Sequence, residues 1–163
     1  SNQGAKPVPG TDAHVAGMKR TRAASNEQEV CSAMTHELYR RGMSDAYGPI
    51  VSVRGEVLHN HDHSGALAAG DLLLADVGGE TPEGWASDIT RTWPVSGRFS
   101  ATQRAIYEIV LQAQLTAIDK VRPGVRYRDV HEAAKRVIVT ELVSLKILRG
   151  SVDGLLERGA AGT

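Results

Sequence analysis

The stretch LLLADVGGETPEGWASDITRTWPVSGRFSATQRAIYEIVL, from Leu72 to Leu111, contains the clearest structural signals of the sequence. It opens with a short apolar run, residues 71–77, which has the length of a buried strand and lies between Ala-Gly and Gly-Gly. Pro and Gly within residues 81–84 then indicate a tight turn. Residues 87–95 supply a return strand, which should end or lie at a sheet edge at Pro94 because proline has no N–H for the ladder. The stretch therefore predicts an antiparallel hairpin.

Helices are predicted on the C-terminal side of this hairpin. Ser100 and Gln103 form a capping box, and the apolar spacing after them predicts a long helix that ends at Arg-Pro-Gly, residues 122–124. A second amphipathic helix is predicted over residues 128–148. Ser151 is expected to cap a last short turn.

Helices are also predicted on the N-terminal side. A short helix is expected over residues 11–24, and a capping box of Ser25 and Gln28 opens another that ends at Gly42. The β-branched residues within 50–57 predict an irregular strand. The order helix, helix, hairpin, helix, helix indicates an α+β fold.

Composition and charge restrict the classes of function. The chain has 163 residues, enough for one domain with a core, and its 19 basic and 19 acidic residues give zero net charge. No long block of one sign occurs, so neither nucleic acid nor a membrane surface is expected as a partner. No apolar run approaches the roughly 20 residues that span a bilayer. A single cysteine, Cys31, predicts a reducing, cytoplasmic location, and residues 1–10 are expected to be a flexible lead-in without the features of a signal peptide.

Two carboxylates on the predicted hairpin are the main candidates for chemistry. Asp76 ends the apolar strand and Asp88 lies just inside the return strand, so the hairpin would bring them onto neighbouring strands. A carboxylate in such a place needs a partner, and two of them could share a pair of divalent cations, with Thr90 on the same face as support. The alternative is structural: Asp76 would cap the following Gly-Gly turn, and Asp88 would pair with Arg91.

The histidine cluster HNHDHSG, residues 59–65, is a second candidate. In an extended segment His59, His61 and His63 would share one face and could meet one zinc ion. The spacing is one residue short of a known zinc signature, H-x-H-x-D-H, and Ser-Gly after it indicates a loop. We therefore interpret His61 and His63 as exposed loop histidines, whereas His59, at the expected end of the 50–57 strand region, could point into a cleft.

The whole pattern resembles the pita-bread metallopeptidases of the aminopeptidase P and Xaa-Pro dipeptidase type. The resemblance is carried by the D-[AVM]-G…DITRT[FW]PV-G-F pattern of the hairpin, and it extends over nearly all of the chain from Thr11 onward. Further matches are Ala-His at His14, Leu58-His59, Arg122-Pro123-Gly124, RDVH from Arg128, and KILRGSVDGLLERGA near the end. The resemblance implies the pita-bread (creatinase/aminopeptidase) fold, truncated to about its first αβ half.

The resemblance also implies roles for three residues. Asp76 and Asp88 would be metal ligands, with Asp88 bridging two divalent ions, expected to be Mn²⁺ with Co²⁺ or Zn²⁺ as alternatives. His59 would contact the substrate and stabilise the tetrahedral intermediate as the catalytic histidine, and a hydroxide that bridges the metals would attack the peptide carbonyl. The substrates would be peptides with proline in the second position.

The implied enzyme is a Xaa-Pro aminopeptidase, with a Xaa-Pro dipeptidase as the alternative and a catalytically inactive binding module as a further one. A homodimer is left open.

The sequence departs from the family pattern in two ways. The spacing from Asp76 to Asp88 is one residue longer than usual, and we place the extra residue in the turn at residues 81–84. A later histidine and two glutamates complete the family's ligand set, and the sequence reaches Thr163 about where that part should begin. Residues 11–163 are therefore expected to be a partial catalytic domain without its second half, inactive by itself.

Overall fold

The computed structural model describes residues 10–159, and the chain divides into two compact units between Phe99 and Ser100. The described part of the first unit contains α1 (Thr11–Thr21), α2 (Glu27–Tyr39), β1 (Ser44–Asp45), β2 (Ile50–Ser52), β3 (Leu72–Asp76), β4 (Gly79–Glu80) and β5 (Thr90–Pro94). The second unit contains α3 (Ala101–Lys120), α4 (Tyr127–Ser144) and α5 (Val152–Glu157). The expected lead-in falls almost wholly outside the described residues.

The predicted hairpin is confirmed as the centre of the first unit. β3 pairs antiparallel with β2 on one side and β5 on the other, and β1 pairs with β4 in a separate two-stranded sheet. Pro94 is the last residue of β5, which is an edge strand, as its missing N–H requires. The register places Asp76 opposite Thr90 and Leu73 opposite Trp93.

The core of the first unit lies where α1 and α2 meet the apolar face of the three-stranded sheet. Its fully buried side chains include Val30, Met34, Leu38, Val51, Leu73 and Val77. Gly17 on α1 allows close approach, because a Cβ there would lie 2.7 Å from the Met34 sulfur. The Trp93 indole donates a hydrogen bond of 2.9 Å to Thr21 Oγ1, which fixes β5 to the end of α1.

Several boundaries differ from the sequence prediction, among them the return strand, which begins at Thr90 and not at residue 87. α1 ends at Thr21, three residues early, and α2 is capped by Asn26, whose side chain accepts the Glu29 amide at 3.0 Å. The capping box at Ser25 is therefore wrong, because the neighbouring asparagine occupies the capping position. The 50–57 strand stops at Ser52, since the chain turns there and the Val57 amide donates to Arg54 O.

The second unit is helical as predicted, but α4 ends at Ser144, four residues before the predicted residue 148. The capping box of Ser100 and Gln103 is present, and the Ser151 hydroxyl accepts the Gly154 amide at the start of α5. Its buried side chains are Ile109, Ala113, Val139 and Leu155. None of the helices within residues 10–159 combines the length and the apolar character needed to cross a membrane.

Candidate metal centre

The side chains of Asp76 and Asp88 converge on one atom, the hydroxyl of Tyr47. That oxygen lies 2.5 Å from Asp76 Oδ1 and 3.1 Å from Asp88 Oδ1. Thr90 pairs with Asp76, and the Val77 amide donates to Ile89 O at 3.1 Å, so the two arms stay together next to Asp88. Asp88 itself lies two residues before β5 begins at Thr90, which corrects the prediction that it lies inside the return strand. The two aspartates that the sequence singled out therefore lie together at one end of the sheet.

The electrostatics of this cluster keep Tyr47 in its neutral form. Burial, the hydrogen bond to Asp76 and the negative charges of both aspartates raise the pKa of Tyr47 far above its usual value. A neutral phenol has one proton, so it can make one good hydrogen bond at a time and cannot satisfy both carboxylates. The carboxylates of Asp76 and Asp88 therefore share one neutral hydrogen-bond donor, the Tyr47 hydroxyl.

The two carboxylates could hold a hard cation, because among the described residues they have no basic partner. Within residues 10–159, no basic side chain forms an ion pair with Asp76 or Asp88. The alternative pair of Asp88 with Arg91 is absent, since Arg91 donates instead to Thr90 O at 2.7 Å. The Gly79 amide donates to Ser87 Oγ at 3.1 Å, so it does not serve as a turn cap for Asp76. Carboxylate oxygens in this arrangement match the ligand preference of Mg²⁺-like and Mn²⁺-like ions.

Gly78 allows the two arms of the hairpin to approach closely beside this site. A Cβ at this position would lie 1.9 Å from the Ser87 carbonyl oxygen and 2.7 Å from Tyr47 Cε1. The turn itself is closed by hydrogen bonds from Thr81 N to Trp85 O and from Gly84 N to Thr81 O. The turn at residues 81–84 and the close approach at Gly78 together hold the two arms beside the aspartates.

The described residues supply only these two carboxylates to the centre. No group of three or more His, Cys, Asp or Glu side chains that could hold a metal ion occurs within residues 10–159. Zinc coordination by the histidine cluster is among the arrangements not found there.

His59 does not lie where the sequence placed it. It sits in a turn seven residues beyond the end of β2, with an exposed side chain and a left-handed φ of 54°. The prediction that it ends a strand is wrong, because the chain turns at Arg54 and Gly55. Within the described residues no hydrogen bond joins its ring to either aspartate. A non-glycine residue in this conformation costs of order 1 kcal/mol, a kind of strain that often occurs at functional sites.

The other two histidines of the cluster bind the backbone. His61 Nδ1 lies 3.2 Å and His63 Nε2 3.1 Å from the carbonyl oxygen of Pro49. His61 is exposed, as predicted, whereas His63 is half-buried, which corrects its interpretation as an exposed loop residue.

Tyr47 was missed by sequence reasoning. It lies 29 residues before Asp76 and 41 before Asp88, in a loop between two short strands that belong to different sheets. Its neighbours Gly48 and Pro49 indicate a turn, but no local spacing links an isolated tyrosine to carboxylates so far along the chain.

Comparison with known proteins identifies the family of the chain. The family model described as metallopeptidase family M24 matches residues 10–155. The Xaa-Pro aminopeptidase of Escherichia coli K12 is 38% identical over 151 residues, which cover 91% of this chain and 34% of that protein. The Xaa-Pro aminopeptidase of Haemophilus influenzae is 39% identical over 150 residues, covering 90% and 35%.

Solved structures agree with the sequence relatives. Pseudomonas aeruginosa aminopeptidase PepP matches with a TM-score of 0.88 at 38% identity, over 93% of this chain and 35% of that one. Zn-substituted E. coli aminopeptidase P in complex with product matches with a TM-score of 0.88 at 36% identity, over the same shares. The predicted fold is confirmed, and the chain spans about a third of the length of these proteins.

Proposed function

Because the chain belongs to metallopeptidase family M24, we propose that the protein carrying it is a Xaa-Pro aminopeptidase. It would hydrolyse the bond between an N-terminal residue and a proline in the second position. The observation that carries the proposal is the convergence of Asp76 and Asp88 on Tyr47, without a cationic partner among the described residues. The names of the relatives support the same reaction.

Asp76 and Asp88 are the residues that would hold the divalent metal ions. Mn²⁺ is the proposed ion, and Co²⁺ and Zn²⁺ are alternatives. When bound, such ions supply Lewis-acid activation of water and of the scissile carbonyl. Two carboxylates alone give a weak site, and within residues 10–159 no imidazole or further carboxylate joins them. We therefore propose that residues 11–163 form a partial catalytic domain, inactive by itself, and that other ligands come from sequence beyond it.

The side chains around the ligands have separate tasks. The neutral Tyr47 hydroxyl donates a hydrogen bond to Asp76 Oδ1 and so fixes the orientation of that carboxylate. His59 is exposed, and its ring is proposed to donate a hydrogen bond to the substrate carbonyl as negative charge develops there. The lone, buried Cys31 supports a cytoplasmic location.

The test is a peptidase assay on the full-length protein with added Mn²⁺. We expect release of the first residue from a tripeptide X-Pro-X, and loss of that activity in Asp88→Asn. Cleavage of the dipeptide X-Pro in preference to the tripeptide would identify a dipeptidase instead. Failure to cleave either peptide, with intact folding and bound metal, would contradict the enzyme assignment and favour a binding module.

A further inference from the structure

The imidazoles of His61 and His63 meet at a single backbone atom, the carbonyl oxygen of Pro49. A carbonyl oxygen only accepts hydrogen bonds, so His61 Nδ1 and His63 Nε2 must both carry protons there. Its two lone pairs allow it to accept both bonds at once. The metal chemistry proposed above uses neither histidine.

The atom that they bind belongs to the loop that presents Tyr47. This loop, residues 46–49, connects β1 to β2, and β2 begins at Ile50, opposite Asp76. At its start the Ala46 amide donates to Gly78 O at 3.0 Å. At its end Pro49 has no N–H, so its carbonyl is the backbone group by which the two histidines can hold it.

The ring of His61 also contacts the middle of the loop. A Cβ at Gly48 would lie 3.0 Å from His61 Cε1 and 3.2 Å from its Nδ1, so the ring fills the space beside the glycine. His61 therefore restrains the loop both by packing and by a hydrogen bond.

The backbone around His63 is itself fixed to the first turn of α2. The Gln28 amide donates to His63 O at 2.9 Å, and the Glu27 amide donates to Gly65 O at 2.9 Å. The carboxylate of buried Glu27 in turn accepts a hydrogen bond of 3.2 Å from the Gly65 amide. A continuous set of hydrogen bonds thus runs from α2 through His63 and Pro49 to the Tyr47 loop.

We infer that His61 and His63 are positioning residues that clamp the Pro49 carbonyl and so hold the Tyr47 hydroxyl on the two aspartates. The consequence for metal binding rests on the proposed function, whereas the clamp itself rests only on the geometry of the loop. Removing both imidazoles takes both hydrogen bonds from the Pro49 carbonyl, and the loop is then held by the Ala46 amide, by the Tyr47 side chain and by β2, which begins at Ile50.

The test compares two double variants of the full-length protein. His61→Ala with His63→Ala removes both donors, whereas His61→Asn with His63→Gln keeps an amide N–H near the position of each ring nitrogen. His36→Ala, an exposed histidine on α2, is the matched control. Two quantities are measured: the ¹³C shift of Tyr47 Cζ without metal, assigned with Tyr47→Phe, and the Mn²⁺ affinity.

If the two histidines clamp the loop, the double alanine variant should shift the ¹³C signal of Tyr47 Cζ towards that of Tyr127, whose side chain is exposed. The same variant should bind Mn²⁺ about tenfold more weakly. The Asn/Gln double variant should largely restore the Tyr47 ¹³C shift and the Mn²⁺ affinity, and His36→Ala should leave both quantities unchanged. An unchanged Tyr47 signal in a folded alanine pair would overturn the clamp. Absence of Mn²⁺ binding in the wild-type protein would instead overturn the proposed function, with the Tyr47 signal still deciding on the clamp.

Discussion

Gly78→Ala tests whether hairpin closure sets the positions of the two aspartates. The added Cβ would lie 1.9 Å from the Ser87 carbonyl oxygen, and Cβ contacts shorter than 3.0 Å essentially never occur. The obstructing atom is backbone, so rotation of a side chain cannot relieve the contact. The two arms must separate by about 1 Å or more, and Ser87 directly precedes Asp88.

The expected effects follow from that displacement. Overpacking that forces backbone shifts costs about 1–3 kcal/mol, and we expect the upper part of this range for the free energy of unfolding. The Tyr47 ring is displaced too, because its Cε1 lies 2.7 Å from the same Cβ position. Mn²⁺ affinity should fall about tenfold to a hundredfold, as when groups that orient metal ligands are lost.

The assay is urea unfolding together with Mn²⁺ titration of the full-length protein. Gly70→Ala is the matched control, since no heavy atom lies within 4 Å of a Cβ at Gly70 and its φ is not left-handed. The control should stay within about 1 kcal/mol of the wild type and should keep its Mn²⁺ affinity. The reasoning is refuted if Gly78→Ala behaves like Gly70→Ala, or if it loses stability but retains full Mn²⁺ affinity.

Further predictions concern stability. The two carboxylate oxygens of Glu27 accept hydrogen bonds from Ser52 Oγ, Val53 N and Gly65 N, so Glu27→Gln would point an amide N–H₂ group at one or more of these donors. Urea unfolding should show a free energy of unfolding lower by about 1–3 kcal/mol. The control Glu83→Gln, at an exposed position, should show no such loss. Hydrogen bonds from Arg40 and Arg41 lower the pKa of Glu37 to about 2. The stabilisation of the folded state by the Glu37 carboxylate is therefore complete above about pH 4.5 and is lost as the pH falls towards 2. The difference in free energy of unfolding between wild type and Glu37→Gln should disappear over that interval. A difference that stays constant with pH would contradict this prediction. Gly17→Ala forces the buried Met34 side chain to move and should cost about 1–3 kcal/mol in urea unfolding. A variant as stable as the wild type would contradict tight packing of Met34 against α1.

The hairpin and the helices of the second unit could be predicted because their signals are local. Alternation, the turn residues and the missing N–H of Pro94 act within a few residues, and the capping box at Ser100 spans only four. Local signals failed where two neighbours compete. Ser25 and Asn26 can both cap α2, and only the backbone path through the Asn26–Ala66 bridge selects the asparagine.

The rest of the candidate site depended on contacts that are distant in sequence. The predicted hairpin was enough to bring Asp76 and Asp88 near each other. Tyr47 could not be predicted, because its loop reaches the aspartates only when β1 pairs with β4 and β2 pairs with β3. The histidine cluster looked like a metal site because its residues are adjacent in sequence. The partner of His61 and His63 is the Pro49 carbonyl, 12 and 14 residues earlier in the chain. Every residue has a backbone carbonyl, so the sequence does not indicate which one the histidines bind.

The most direct test of the central claim is the Mn²⁺ affinity of the full-length protein, followed by the electron paramagnetic resonance signal of the free ion. Asp76→Asn and Asp88→Asn are compared with Asp119→Asn, an exposed aspartate of α3. If Asp76 and Asp88 are ligands, each asparagine should weaken binding by more than about a hundredfold, beyond the loss expected for a supporting residue, and the control should bind as the wild type does. Equal Mn²⁺ affinity in all four proteins would contradict the assignment of the two aspartates as metal ligands.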